Sequence, residues 1–76
     1  MKDVVEFIAR SLVDDPDSVS VTVVERDDET VFELRVAQED MGRVIGKQGR
    51  VAKAIRTVTK AAAMKQGTRV HVDIVD

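Results

Sequence analysis

Two glycines among basic residues, in the segment Gly46-Lys47-Gln48-Gly49, are the feature of this sequence best suited to chemistry. Arg43, Arg50 and Lys53 flank the segment. Glycine has no side chain and lets another backbone approach closely. Lys and Arg side chains beside the free N–H groups of a helix start bind anions, above all phosphates. We therefore predict a phosphate-binding site here, with a tight helix-to-helix turn as the alternative use of the glycines.

The charges of the chain are strongly segregated. The 76 residues include 12 basic and 14 acidic side chains, for a net charge of -2. Between Met41 and Val72, however, every charged residue is basic: Arg43, Lys47, Arg50, Lys53, Arg56, Lys60, Lys65 and Arg69. A basic face on an acidic body suits a polyanion. From charge alone, a helix surface that is merely solvated remains the other interpretation.

The hydrophobic spacing predicts the elements that must position the Gly-Lys-Gln-Gly segment. Residues 2–13 are expected to form an amphipathic helix, followed by a loop at Pro16. The apolar residues at helical spacing are Val4, Val5, Ile8 and Leu12, with Phe7 beside them. Alternation of apolar and polar residues then predicts three strands. Their apolar positions are Val19, Val21 and Val23, then Phe32, Leu34 and Val36, and finally Val70, Val72 and Ile74.

Two helices are predicted between the second and third strands, and Asp27-Asp28-Glu29 is predicted to connect the first two strands as a hairpin. Asp40 is the expected N-cap of a short helix over 41–45. The second helix runs from Arg50 to about Gln66-Gly67, because glycine is favoured just past a C-terminus. Its predicted core sector is Val51, Ile55, Val58 and Ala62, with Lys53, Arg56 and Lys60 opposite.

The predicted order is helix, strand, strand, helix, helix, strand. This order indicates an α+β fold in which helices cover one face of a three-stranded sheet, and the other face is polar. We expect residues 1–76 to form a single domain. The sequence has no cysteine, no apolar run of membrane-spanning length and no signal-peptide pattern at its N-terminus. We therefore expect a soluble, unprocessed, cytoplasmic protein that does not enter a membrane.

The segment Ile45-Gly46-Lys47-Gln48-Gly49, followed by a helix, resembles the signature of the KH-domain family. The element order is similar to the type II, bacterial-style KH fold. The stretches Arg43 to Arg50 and Ala54 to Thr57, in a domain of this size, resemble the small free-standing bacterial members of the family over nearly the whole chain.

This resemblance implies that a loop with the pattern GxxG clamps the backbone of about four single-stranded RNA nucleotides. The implied RNA-binding residues are Gly46, Lys47, Gln48, Gly49, Arg43, Arg50, Lys53 and Ile45. It further implies an apolar groove for the bases, lined by Val44, Ile45, Val51 and the strand residues Phe32, Leu34 and Val36. Ile45 and Val51 are alternatively ordinary core residues. With only two Phe and no Tyr or Trp, base stacking contributes little, so we expect weak, salt-sensitive binding.

The resemblance also implies post-transcriptional regulation together with a partner. Members of the family form homodimers, and they pair with a second, larger KH-containing RNA-binding protein. The run Ala61-Ala62-Ala63-Met64 offers a small, flat helix surface for this, and the expected interface residues are Val58, Ala61, Ala62 and Met64. Close packing of the alanines on the sheet is the alternative.

We expect no catalysis, cofactor, metal or small-molecule substrate. His71 is the only histidine and lies on a strand with acidic neighbours, where a surface role is expected. The acidic clusters at 14–17 and 27–29 lack the spacing of a calcium loop and are interpreted as solvated turns. A protein-interaction adaptor that retains the KH fold is the main alternative function. A single-stranded DNA-binding module is a third possibility, since no residue identifies a 2′-hydroxyl contact.

Overall fold

The computed structural model describes residues 1–75, except for the side chains of Lys47 and Gln48. The elements follow the predicted order, which confirms the α+β fold class. They are α1 at Lys2–Leu12, a short 3₁₀ helix at Pro16–Ser18, β1 at Ser20–Arg26, β2 at Glu29–Arg35, α2 at Gln38–Gln66 and β3 at Val70–Ile74.

The three strands form one sheet with β2 in the centre. β1 and β2 are antiparallel, and a two-residue turn at Asp27-Asp28 joins them because Arg26 already pairs with Glu29. Asp27 has a φ of 50°, a left-handed conformation that Asp tolerates in such turns. β3 runs parallel to β2, with α2 as the crossover between them.

The core lies between the sheet and the two helices that cover one of its faces. Its main members are Val5, Ala9, Val19, Val21, Phe32, Leu34, Ile55 and Val72. Val5 and Ala9 are the residues by which α1 faces the sheet. The predicted apolar face was Val4, Val5, Ile8 and Leu12, with Phe7 beside it. Phe7 is 73% exposed, and Val4 and Leu12 are 36% and 37% exposed, so that part of the helix prediction is wrong. Phe7 lies two residues from both Val5 and Ala9, and a step of two residues turns a helix by about 200°.

The face of the sheet away from the helices is largely polar, as predicted, except for Val31 and its partner Val24. Val31 lies on this face, because its neighbours Phe32 and Thr30 point to the other side of the strand. It is nevertheless 3% exposed. Val24 of β1 and His71 of β3 are its partners in the strand register.

Both predicted central helices belong to the 29-residue element α2, which Gly49 interrupts. Gly49 has a φ of 69°, and a left-handed residue does not continue the path of a right-handed helix. A straight helix of this length would measure about 43 Å. The longest dimension of the molecule is 34 Å, in agreement with a change of direction. None of the helices in the described part of the chain has the length and apolar composition to cross a membrane.

The C-terminus of α2 ends at glycine, as predicted. Gly67 has a φ of 71° and donates its N–H to the carbonyls of Ala63 and Met64. The N–H of Thr68 also bonds to the Ala63 carbonyl, at 3.0 Å. The tripeptide Lys-Gln-Gly occurs twice in the sequence, at 47–49 and at 65–67, and its glycine has the left-handed conformation both times.

Candidate nucleic-acid interface

A surface groove lies where the two parts of α2 meet near the end of α1. Its volume is about 580 Å³. It brings together three predicted site residues, Arg43, Gly46 and Arg50. The lining is Leu12, Gly42, Arg43, Gly46, Arg50 and Val51. We call this surface the GxxG groove.

The glycines of the groove differ in what the chain itself requires of them. Gly49 is needed for its left-handed φ. Gly42 and Gly46 have no such φ, and a Cβ atom built on either meets no atom within 4 Å. Glycine in a helix interior costs about 1 kcal/mol relative to alanine. Among the described residues, neither a positive φ nor a close neighbour requires glycine at these two positions.

Gly42 was missed by the sequence reasoning. It precedes Gly46 by four residues, which places both glycines on the same side of a helix. The spacing Gly-x-x-x-Gly before the Gly-x-x-Gly pattern was therefore the signal that could have found it. Together the two glycines form a bare strip of backbone along the groove.

The basic residues of the site differ in their ion pairs. Arg43 contacts Asp14 at 3.0 Å between Nη2 and Oδ2, and both side chains are more than half exposed. Arg50 and Lys53 are exposed, and neither has a carboxylate within 4.0 Å among the described residues. Lys47 and Gln48 have side chains outside the described part of the structure. Of the predicted site residues with described side chains, Arg50 and Lys53 are therefore available to an anionic ligand without breaking an ion pair.

Asp40 does not cap a helix, so that prediction is wrong. The N-cap of α2 is Ala37, and Asp40 lies in the first turn with its side chain 2% exposed. Its two carboxylate oxygens accept the backbone N–H groups of Asp14 at 3.1 Å and Asp15 at 3.0 Å. Asp40 therefore attaches the connection between α1 and β1 to α2, and it holds Asp14 beside Arg43.

The predicted apolar lining is wrong for three of its residues. Phe32, Leu34 and Val44 are at most 2% exposed and belong to the interior of the protein. Ile45 is 53% exposed, and Val51 is half-buried in the groove lining. Alternation shows which residues share a face of a strand, but the helices that cover the sheet turn that face into core.

The sequence matches one protein family over almost its whole length. The family model described as "KhpA/KhpB, KH domain" matches residues 2–74. The chain belongs to the KhpA/KhpB KH-domain family. A protein of Clostridium acetobutylicum named RNA-binding protein KhpA is 60% identical over 75 residues, which cover 99% of this chain and 100% of that protein. A protein of the same name from Clostridium perfringens is 57% identical over the same length and coverage.

One solved structure shows the same fold. It is the crystal structure of an Aquifex aeolicus Era variant bound to GDP·AlF4−, with a TM-score of 0.65 and 23% identity. The match covers 95% of this chain and 28% of that chain. At this identity the likeness concerns the fold alone.

The core side of the second part of α2 differs from the predicted sector. Its buried residues are Ala52, Ile55, Thr59 and Ala63. Val58 was predicted in the core but is 47% exposed. Thr59 takes its place, and its buried hydroxyl donates to the Ile55 carbonyl at 2.7 Å. The centre of the predicted sector lies about 75° around the helix axis from the centre of the observed one.

Arg56 does not lie opposite the core as predicted. It is half-buried, and its Nε donates to the Val72 carbonyl of β3 at 3.1 Å. Lys53 and Lys60 are exposed, as expected. The side of the helix next to β3 is therefore the basic one.

The predicted interface residues occupy two sides of α2. Val58 is exposed and Ala62 is half-buried, and helical spacing places both on the side that continues Val51. The exposed Ala61 lies between Val58 and Met64 around the helix. Met64, 79% exposed, lies about 120° around the helix from Val58. It lines a different groove, shared with Lys60, Ala63, Thr68, Arg69, Val70 and Glu29.

Proposed function

We propose that this chain is a non-catalytic RNA-binding module that clamps the backbone of about four single-stranded nucleotides at its GxxG groove. One observation carries the proposal: Gly42 and Gly46 leave a strip of helix backbone bare, although neither a positive φ nor a close neighbour in the described part of the chain requires glycine there. A nucleic-acid backbone that packs against this strip explains both glycines. The RNA-binding names of the Clostridium relatives support RNA as the ligand. In this role residues 1–76 act as one cytoplasmic KH domain in post-transcriptional regulation.

The charges beside the groove suit phosphates. Arg50 and Lys53 follow Gly49 on the first turns of the second helical part, and Arg43, on the first part, lines the groove together with Arg50. Lys47 and Gln48, at the tip of the segment, are proposed to contact phosphates as well. The exposed side chain of Ile45 offers apolar contact to a base. Three or four phosphate contacts predict a slope of about -2 to -3 in log K against log salt for single strands.

Fluorescence anisotropy of a short labelled single-stranded RNA tests the proposal, with wild type compared to the double variant Lys47→Asp/Gln48→Asp at two salt concentrations. The chain supplies a matched control, because Lys65 and Gln66 repeat the same dipeptide before a left-handed glycine. Lys65→Asp/Gln66→Asp makes the same change of charge about 27 Å further along the helical residues.

The proposal predicts salt-sensitive binding by wild type and by the 65/66 variant, and loss of binding by the 47/48 variant. Circular dichroism and thermal unfolding establish that each protein is folded before the comparison. Equal losses in both variants would mean that net charge alone drives binding. No measurable binding by folded wild type would reject the clamp and favour the adaptor function. A single-stranded DNA of the same sequence, run in parallel, separates RNA binding from general single-strand binding.

We also propose that α2 carries the contact for a second KH domain, in a homodimer or in a heterodimer with a larger KhpB-like protein. The supporting observation is Val58, a large apolar residue 47% exposed beside Ala61 and Ala62. Val58→Glu is expected to convert a dimer to the 8.4 kDa monomer in light scattering. Thr22→Glu introduces the same charge on the exposed face of β1 that points away from the helices, and it is expected to leave the dimer intact. A wild-type monomer at high micromolar concentration, with no complex formed by a KhpB-like protein, would contradict the proposal.

A further inference from the structure

The connection between α1 and β1 holds an acidic side chain against the GxxG groove. Asp14 Oδ2 lies 3.0 Å from Arg43 Nη2, and Arg43 lines the groove. The residues that line the groove include no Asp or Glu. Among the described residues, only the Asp14 carboxylate lies within 4.0 Å of a positively charged group of the lining.

The position of Asp14 is fixed by the fold. Its backbone N–H donates to Asp40 Oδ1 at 3.1 Å, and the N–H of Asp15 donates to Oδ2 of the same carboxylate at 3.0 Å. Asp40 is buried in the first turn of α2, three residues before Arg43. The two hydrogen bonds therefore tie the Asp14 backbone to the same helical turn that carries its arginine partner.

The ion pair between Asp14 and Arg43 is easily broken. The Asp14 side chain is 72% exposed and that of Arg43 is 54% exposed. Exposed pairs of this kind contribute little to stability and are screened by salt. A phosphate that enters the groove carries the same charge as the Asp14 carboxylate and suits the same guanidinium donors. The two anions repel each other, so they compete for the Arg43 guanidinium.

We propose that Asp14 is an internal counter-ion of the groove: it occupies Arg43 in the free protein, is displaced by an RNA phosphate, and thereby lowers RNA affinity. The inference rests on the proposed function and extends it, because it assigns a residue that limits how tightly the groove holds RNA. Asp14→Asn removes the charge and keeps the backbone N–H that Asp40 binds. The variant is therefore expected to fold as the wild type does.

The test is RNA anisotropy with wild type, Asp14→Asn and Asp28→Asn, each in the wild-type and Arg43→Gln backgrounds. Asp28 is an exposed acid in the turn between β1 and β2, so its substitution makes the same change of net charge at another site. At about 50 mM salt, Asp14→Asn is expected to tighten binding about two- to fivefold, the range set by an exposed ion pair. The salt slope steepens by up to about 0.7, the value of one further phosphate contact.

The two backgrounds separate the mechanisms. In Arg43→Gln, the effect of Asp14→Asn should shrink to that of Asp28→Asn, since no guanidinium is left to release. Equal or weaker binding by Asp14→Asn in the wild-type background overturns the inference and leaves the proposed clamp standing. An equal gain from Asp28→Asn also overturns it, because net charge then accounts for the effect. Absence of RNA binding by every protein, wild type included, is the distinct result that rejects the proposed function.

Discussion

Alanine substitution of the three glycines around the groove should change stability and RNA binding in different directions. At Gly42 and Gly46 a new Cβ meets no atom within 4 Å, so no clash opposes the higher helix propensity of alanine. The expected gain is about 1 kcal/mol for Gly42→Ala, in the interior of the first helical part. The gain is smaller for Gly46→Ala, because this residue lies three positions before the interruption at Gly49. For a domain of this size, 1 kcal/mol raises Tm by about 4 to 8 °C.

Gly49→Ala has the opposite effect on stability. Its φ of 69° costs a residue with a Cβ about 1 to 2 kcal/mol. Gly67, with a φ of 71°, is the matched control, since Gly67→Ala carries the same strain at the far end of α2. These two variants should therefore unfold at similarly lowered temperatures.

RNA affinity separates three of these variants, Gly42→Ala, Gly46→Ala and Gly67→Ala. A methyl group on the bare strip holds the RNA backbone away from the groove. Loss of one charge-assisted contact would weaken Kd about tenfold or more in Gly42→Ala and Gly46→Ala. Gly67→Ala should bind RNA as tightly as wild type below its Tm. Thermal unfolding and RNA anisotropy, measured on the same samples, check both properties.

Two results would refute the reasoning about the glycines. A loss of stability in Gly42→Ala would mean that the space around this residue is not open in solution. Higher stability with unchanged RNA affinity would mean that the nucleic acid does not approach the strip, and the observation that carries the proposed function would be lost. Tighter packing alone cannot produce the expected combination of higher Tm and weaker binding.

Three further substitutions test other parts of the structure. Asp40→Ala leaves two backbone N–H groups without their acceptor and should lower the free energy of unfolding, measured in urea, by about 2 to 3 kcal/mol. Asp40→Asn retains one acceptor oxygen, so its free energy of unfolding should fall by less. Equal losses in the two variants would contradict this role of Asp40. Arg56→Met keeps the packing but removes the hydrogen bond to the Val72 carbonyl, so the free energy of unfolding should fall by about 1 kcal/mol in the same assay. An unchanged urea midpoint would show that water replaces the guanidinium. Val58→Glu should cost less than about 1 kcal/mol because the residue is half exposed, and a larger loss would place it in the core.

The periodicity of the sequence was sufficient for the element order, for the three strands and for the end of α2 at Gly67. These features follow from local rules, because alternation, helical spacing and a C-terminal glycine concern residues close together in the chain. The same rules were less accurate in predicting which side of a helix is buried. An error of one residue rotates a helix face by about 100°, which is why Val58 was assigned to the core instead of Thr59.

Other features depended on contacts between residues far apart in the chain. Asp40 has the residue type of an N-cap, but it accepts hydrogen bonds from a loop 25 and 26 residues earlier. Arg43 carries a positive charge in any conformation, whereas its pairing with Asp14 requires that loop to be attached to α2. Phe32 and Leu34 alternate as strand residues do, and only the helices packed above them make them core.

The sequence by itself determines the chemical character of the site, which is a pair of glycines in a basic stretch free of acidic residues. The shape of the binding surface depends on the tertiary structure, because the groove forms only when α1 and the two parts of α2 pack together. Local patterns report backbone preference and hydrophobic period, which depend on neighbours within a few residues. Exposure, open space beside a glycine and the partner of a charge depend on what the rest of the chain brings to the same place.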